Sequence, residues 1–302
     1  NCIPAGAPIQ KVEATKSYGA DVVLVKGVYD DAYAKAVEIQ QETGKTFIHP
    51  YDDEDVIAGQ GTIGLEILEE MADVDAVVVP IGGGGLISGV AFAVKALNPN
   101  VKVYGVQAAG APSMERAVHE HQQLTLESVS TFADGIAVKH PGDITFQMCQ
   151  QYVDEIVTVS DDEIATAILA MIEQQKMVAE GAGAVAVAAC MFHKLPVEGK
   201  KVVCVVSGGN IDVTILSRVI SRGLLMEGRL VDLTLALDDK PGELTHVSDI
   251  IASTGANIVL VRHSRGDINM DINSCFLTLQ METRNKAHAD EVREALRAAG
   301  YQ

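Results

Sequence analysis

The chain is short of what a disulfide framework, a membrane span or a nucleic-acid surface requires. Its five cysteines, Cys2, Cys149, Cys190, Cys204 and Cys275, are odd in number and include no CxxC pair. That usage fits reduced thiols in a cytoplasmic protein, most of them serving as small core residues. No apolar run reaches the roughly 18 residues that a membrane helix needs, and no signal peptide is evident. Positive charge is scarce, with 23 Lys and Arg against 41 Asp and Glu, a formal net charge of −18. Residues 1–228 hold 15 basic and 30 acidic side chains, and residues 229–302 hold 8 and 11. Surfaces that track phosphate chains need clustered Lys and Arg, so nucleic acid and anionic membranes are not expected partners. The eight histidines show no HExxH or other metal spacing, and no dedicated metal site is expected.

What is present is enough apolar sequence for two packed domains: 48% hydrophobic and 21% charged residues over 302 positions. The opening NCIPAGAP reads as a strand end and a turn. A helix is predicted over 8–20, with Pro8 in its first turn, then a strand over 21–25 and a helix over 30–43. TFIHPY (46–51) reads as extended, because Pro50 disfavours a helical His49. A helix over 53–71, a buried strand over 76–81, a glycine run, a helix over 86–97 and a strand over 101–107 follow. Helix 161–175 and strand 201–210 continue the alternation, which predicts an α/β fold with a mostly parallel sheet. After Gly228 the pattern changes to strand 231–239, helix 242–255, strands near 257–264 and 274–283, and helix 286–299. That βαββα order lacks a last strand for a ferredoxin-like unit. Both ends of the chain therefore read as falling inside domains.

AVVVPIGGGGL (76–86) carries the strongest chemical signal. A strand, a glycine run and a helix start make an anion site, with backbone N–H groups converging and the helix N-terminus adding positive potential. The dinucleotide fingerprint fails, since glycine would be needed at Ile87 or Ser88. The P-loop pattern fails for lack of a following Gly-Lys-Ser/Thr. A monophosphate cofactor is the better candidate. In VVSGGN, Ser207 ends a buried strand, where open α/β sheets place ligands. Its neutral hydroxyl suits a pyridine nitrogen that stays unprotonated.

HPYDDEDVIAGQGTIGLEIL (49–68), PIGGGGLISG (80–89), ADGIAVKHPG (133–142), EGAGAVAVAA (180–189) and SGGN (207–210) occur in this order. Together they resemble the threonine dehydratase (threonine ammonia-lyase) branch of the fold-type II pyridoxal-phosphate enzymes, over residues 1 to about 226. The resemblance implies a tryptophan synthase β-like parallel sheet with helices on both faces. It implies pyridoxal 5′-phosphate held by Gly82, Gly83, Gly84, Gly85 and Leu86 at its phosphate and by Ser207 at its ring nitrogen, with Gly135 and Glu180 nearby. The family reaction is β-elimination, converting threonine to 2-oxobutanoate and ammonia, and serine to pyruvate. The family's Schiff-base lysine lies in a Ser-Phe-Lys-x-Arg-Gly type motif, and a Ser-x-Gly-Asn loop holds the substrate carboxylate. The lysine motif does not occur in these residues, and their one Ser-x-Gly-Asn match is the SGGN at 207–210 already assigned to the ring nitrogen. The expectation is a C-terminal portion without its catalytic lysine, inactive as written.

ALDDKPGELTHVSDIIASTGANI (236–258) resembles the start of an ACT regulatory domain. The resemblance implies an amino-acid effector bound around Asp239, Pro241, Gly242, Leu244 and Asn257, and a homo-oligomer, dimer or tetramer. The expected organisation is a catalytic domain over 1–226, with 1–45 a remnant of a small subdomain and 46–226 the large subdomain. An ACT domain over 229–302, its last strand missing, would follow. The competing readings are serine racemase of the same fold and a non-catalytic binding or regulatory protein.

Overall fold

The computed structural model describes residues 1–7, 9–27, 29–265 and 273–301. Pro8, expected in the first helical turn, lies outside them. β1 (Cys2–Pro4), α1 (Ile9–Ser17), β2 (Val23–Val25) and α2 (Tyr29–Thr43) come first, and β1 and β2 pair in parallel. The 46–51 stretch, expected to be extended, belongs to no strand and bends at Pro50 and Tyr51. Then follow α3 (Glu54–Glu70), β3 (Ala76–Pro80), α4 (Gly85–Leu97), β4 (Lys102–Ala108), α5 (Ser113–Glu120), α6 (Asp143–Tyr152) and β5 (Glu155–Val159). α7 (Asp161–Ala170) begins at a Ser160–Glu163 capping box and runs on as one π-helical turn, Met171–Gln175. α8 (Gly181–Met191), β6 (Val202–Cys204) and α9 (Val213–Met226) complete this part. Strand 201–210 of the sequence reading shrinks to three residues in the ladder. α5, α6, β5, α8 and α9 were not placed from sequence.

The central sheet is parallel in the order β5-β4-β3-β6. β3 is apolar and buried throughout, as a strand covered on both faces must be. Ala76 and Val78 face the cluster that includes α7 and α8, and Val77 and Val79 face the one that includes α4. The motif AGQGTIG sits in α3 where that helix lies against the backbone of α4. A Cβ on Gly89 would come within 2.2 Å of the Ile57 carbonyl oxygen, and one on Gly64 within 2.9 Å of that of Val90.

Beyond α9 lie β7 (Leu230–Asp238), α10 (Glu243–Thr254), β8 (Asn257–Ser264), β9 (Ser274–Glu282) and α11 (Lys286–Ala298). The strands form an antiparallel sheet in the order β7-β9-β8. Alternate residues Cys275, Leu277, Leu279 and Met281 of β9 pack with Val231, Leu235 and Leu237 of β7 and with Val247, Ile251, Val292 and Leu296 of the helices. β7 and β8 are the edge strands, and Val259, Leu260 and Val261 of β8 are about half exposed.

Candidate functional site

The strand order decides where a ligand can bind. The chain steps outward from β3 to β4 and β5, then returns to β6 on the other side of β3. At such a reversal open α/β sheets place their ligands beyond the carboxyl ends of the flanking strands, here β3 and β6. Gly82–Gly85 follow β3 at that place, and Ser207–Asn210 follow β6.

Three of the sequence-predicted residues, Gly82, Gly135 and Glu180, come together there with Gly208 of the SGGN loop. A Cβ on Gly82 would stand 3.3 Å from the Gly135 carbonyl oxygen, and one on Gly135 3.4 Å from Glu180 Oε1. One on Gly208 would lie 2.3 Å from the same Glu180 oxygen. The amide of Glu180 donates to the Gly208 carbonyl at 3.1 Å, which ties the head of α8 to the Ser207 loop. Ser207 itself is exposed at the end of β6. Burial holds the Glu180 carboxyl above the usual carboxylate range and Asp134 adds to this, while the Asn210 amide and the charge of Lys11 pull the other way.

The glycine run is explained differently from the sequence expectation. Of its four members, Gly84 alone needs the left-handed region, at φ 101°. Gly83 is required by close approach, because a Cβ there would lie 2.4 Å from the Tyr51 ring. Among the described residues, the amides of Gly82, Gly83, Gly84, Gly85 and Leu86 donate to no protein acceptor. Gly85 and Leu86 belong to the first turn of α4, where such donors have no partner within the helix. A row of free amides at a helix N-terminus is the donor set that a phosphate monoester takes. The residues present therefore fit the phosphate of pyridoxal phosphate.

Sequence reasoning missed the supports of this loop. Thr145 Oγ1 donates to the Gly83 carbonyl at 2.6 Å. The Asp52 carboxylate accepts from the amides of Asp143, Ile144 and Thr145 at 2.9, 2.9 and 3.2 Å and so caps α6 from about 90 residues away. His49 Nδ1 accepts from the amides of Tyr51 and Asp52 at 3.3 and 2.8 Å, and burial keeps its pKa below the usual value. The motif HPYDD held the signal, but nothing in it names its distant partners.

In the C-terminal sheet, Asp239, Pro241, Gly242 and Leu244 surround the turn from β7 into α10, with Gly242 as N-cap at φ 99°. Asn257 is not brought to them within one chain. It pairs with Glu282 at one end of β9, whereas Asp238 pairs with Ser274 at the other. Asp239 is held by Arg265, Nη2 to Oδ1 at 2.8 Å.

Comparison with known proteins gives this geometry a family. The family model described as pyridoxal-phosphate dependent enzyme matches residues 2–208. The L-threonine ammonia-lyase of Thermotoga maritima is 49% identical over 300 residues, which cover 99% of this chain and 75% of that protein. The processed form of threonine deaminase isoform 2 from Solanum lycopersicum superposes with a TM-score of 0.69 at 40% identity, covering 74% of this chain and 62% of that one. Maize serine racemase superposes at 0.67 with 35% identity, covering 74% and 69%. With the free amides of Gly82–Leu86 and the reversal of strand order at β3 and β6 both falling within the matched residues, the chain belongs to the pyridoxal-phosphate dependent enzyme family.

Proposed function

We propose that this chain provides the cofactor-binding body of a threonine ammonia-lyase. The free amides of Gly82–Leu86 beyond β3 carry the reading, together with 49% identity to a threonine ammonia-lyase. Gly82, Gly83, Gly84, Gly85 and Leu86 hold the phosphate, and the Ser207 hydroxyl meets the pyridine nitrogen without protonating it. Glu180 positions the Ser207 loop through Gly208 and Asn210, and Gly135 closes the floor beside it. The cofactor, when bound, supplies the electron sink for loss of the α-proton. Elimination of the β-hydroxyl then gives 2-oxobutanoate and ammonia from threonine, and pyruvate from serine. No Ser-Phe-Lys-x-Arg-Gly type motif stands in residues 1–302, so no lysine here is assigned as base.

The same proposal extends to organisation. Residues 1–226 form the catalytic part, and 229–302 form an ACT regulatory unit of ferredoxin-like lineage that takes an amino-acid effector at Asp239, Pro241, Gly242 and Leu244. Antiparallel pairing of two β8 edges would carry Asn257 of one copy toward the β7–α10 turn of the other. The half-exposed Val259, Leu260 and Val261 favour such a homo-oligomer.

The deciding experiment measures 2-oxobutanoate from threonine, with pyridoxal phosphate added, for the 302-residue chain and for a version extended upstream to an initiating Met. Turnover by either supports the reading. If both bind the cofactor and release no 2-oxo acid, the ammonia-lyase assignment fails. Conversion of L-serine to D-serine would instead favour the racemase reading suggested by the maize likeness. A borohydride-reducible bond formed by the 302 residues alone would point to a lysine among them, with Lys11, whose charge reaches Glu180, the first to test.

A further inference from the structure

We propose that the C-terminal sheet carries a zinc site made by Asp239, His263 and Cys275. Among the described residues, this group of His, Cys and acidic side chains brings a carboxylate oxygen, an imidazole nitrogen and a sulfur within 4.8 Å of one another. The three come from adjacent strands. Asp239 directly follows β7, His263 lies in β8 and Cys275 in β9, so the sheet ladder itself sets their spacing. His263 stands opposite Leu277, and Cys275 opposite Leu237, which puts both on the helix-bearing face.

The donor set is that of zinc. Thiolate, imidazole and carboxylate suit a borderline cation, and three protein ligands leave a fourth position for water. Cys275 is 2% exposed and forms the floor, while Asp239 and His263 form the rim on the solvent side. Donor atoms across a tetrahedral zinc stand about 3.3–3.6 Å apart, given bonds of roughly 2.0–2.3 Å. His263 Nε2 is now 4.0 Å from Asp239 Oδ1. Rotation of the two rim side chains closes the difference, and Cys275 need not move.

The surrounding charge has the right sign. Burial and the charges of Asp239, Glu243 and Asp238 push the Cys275 thiol up, with Arg265 opposing, and the same three carboxylates attract a cation. Arg265 also bridges Asp239, its Nε 2.8 Å from Oδ2, while its side chain is 67% exposed. It occupies the carboxylate as a monovalent cation would. Zinc would take Asp239 from Arg265, the thiol proton would pass to solvent, and no other bond would break. Bound zinc would lock the end of β7 to β8 and β9, just before the turn into α10.

The test adds cobalt(II) to the chelator-treated 302-residue chain. The expected result is a single cobalt per chain and a thiolate-to-metal charge-transfer band that zinc abolishes. Cys275→Ser removes the band, and His263→Ala weakens binding by about tenfold or more. Arg265→Ala tightens binding, because the competing guanidinium is gone, an outcome that a purely structural role for these residues would not give. Cys190 and Cys204, whose sulfurs lie 3.5 Å apart, are the other place for a soft metal, and Cys190→Ser leaves the band unchanged. The proposal is overturned if the parent chain gives no band, if the band survives Cys275→Ser, or if it disappears with Cys190→Ser. Should Cys275→Ser fail to fold, the exposed His263→Ala decides alone: unchanged cobalt affinity overturns the site.

Discussion

Tyr51 lies across Gly83 and leaves no room for a side chain there. Gly83→Ala puts a methyl 2.4 Å from the ring, and overpacking of this kind costs about 1–3 kcal/mol. The expected outcome is a lower denaturation midpoint and weaker binding of pyridoxal phosphate, read by calorimetric titration. Unchanged affinity would show that the loop does not hold the phosphate. Glu180 makes a second prediction, of the opposite kind. Burial raises its folded pKa above the unfolded value, so the native state binds the proton more tightly. Its contribution to stability is therefore greatest at acid pH and falls as pH climbs from the unfolded pKa through the folded one. Glu180→Gln should remove that fall, so the variant's melting temperature should decline less than the parent's from pH 4 toward neutrality, when both are followed by differential scanning calorimetry.

Elements are joined here by contacts that run far along the chain. The N-cap of α6 is Gly142, which has no side chain with which to cap the helix. Asp52 supplies the cap from the other side of the glycine loop, and Thr145 of the same helix holds the Gly83 carbonyl. Asp52→Ala should cost about 1 kcal/mol, the usual weight of an N-cap. It should also weaken phosphate binding by loosening the Thr145 contact, whereas an ordinary surface cap would leave that affinity unchanged. Urea unfolding and phosphate titration on one variant separate the two effects. α3 and α4 make the companion case. Gly61 and Gly64 of AGQGTIG serve helix packing, with Gly89 and Val90 of α4 as their neighbours.

At the scale of the whole molecule, β8 is the surface that asks for a partner. It is an edge strand with three apolar residues near half exposure, and natural edges are normally blunted by charge or covered. Val261→Lys places a charge on that edge. If two copies join there, the variant should elute as the smaller species in size-exclusion chromatography with its circular dichroism intact. Elution at the parental volume would move the interface elsewhere.

The sequence by itself determined the α/β class, the change of pattern near Gly228 and the strand–glycine–helix turn that follows β3. Each of these rests on local information: periodicity, punctuation by glycine and proline, and strand-turn-helix order. The tertiary structure decided what depends on distance. The β5-β4-β3-β6 order brought the loop after β3 beside the loop after β6. It joined Gly82, Gly135, Glu180 and Gly208 into one floor, and it revealed Asp52 and Thr145 as supports. It also separated Asn257 from Asp239, because an antiparallel ladder places the two ends of its strands far apart, whatever the motif that contains both.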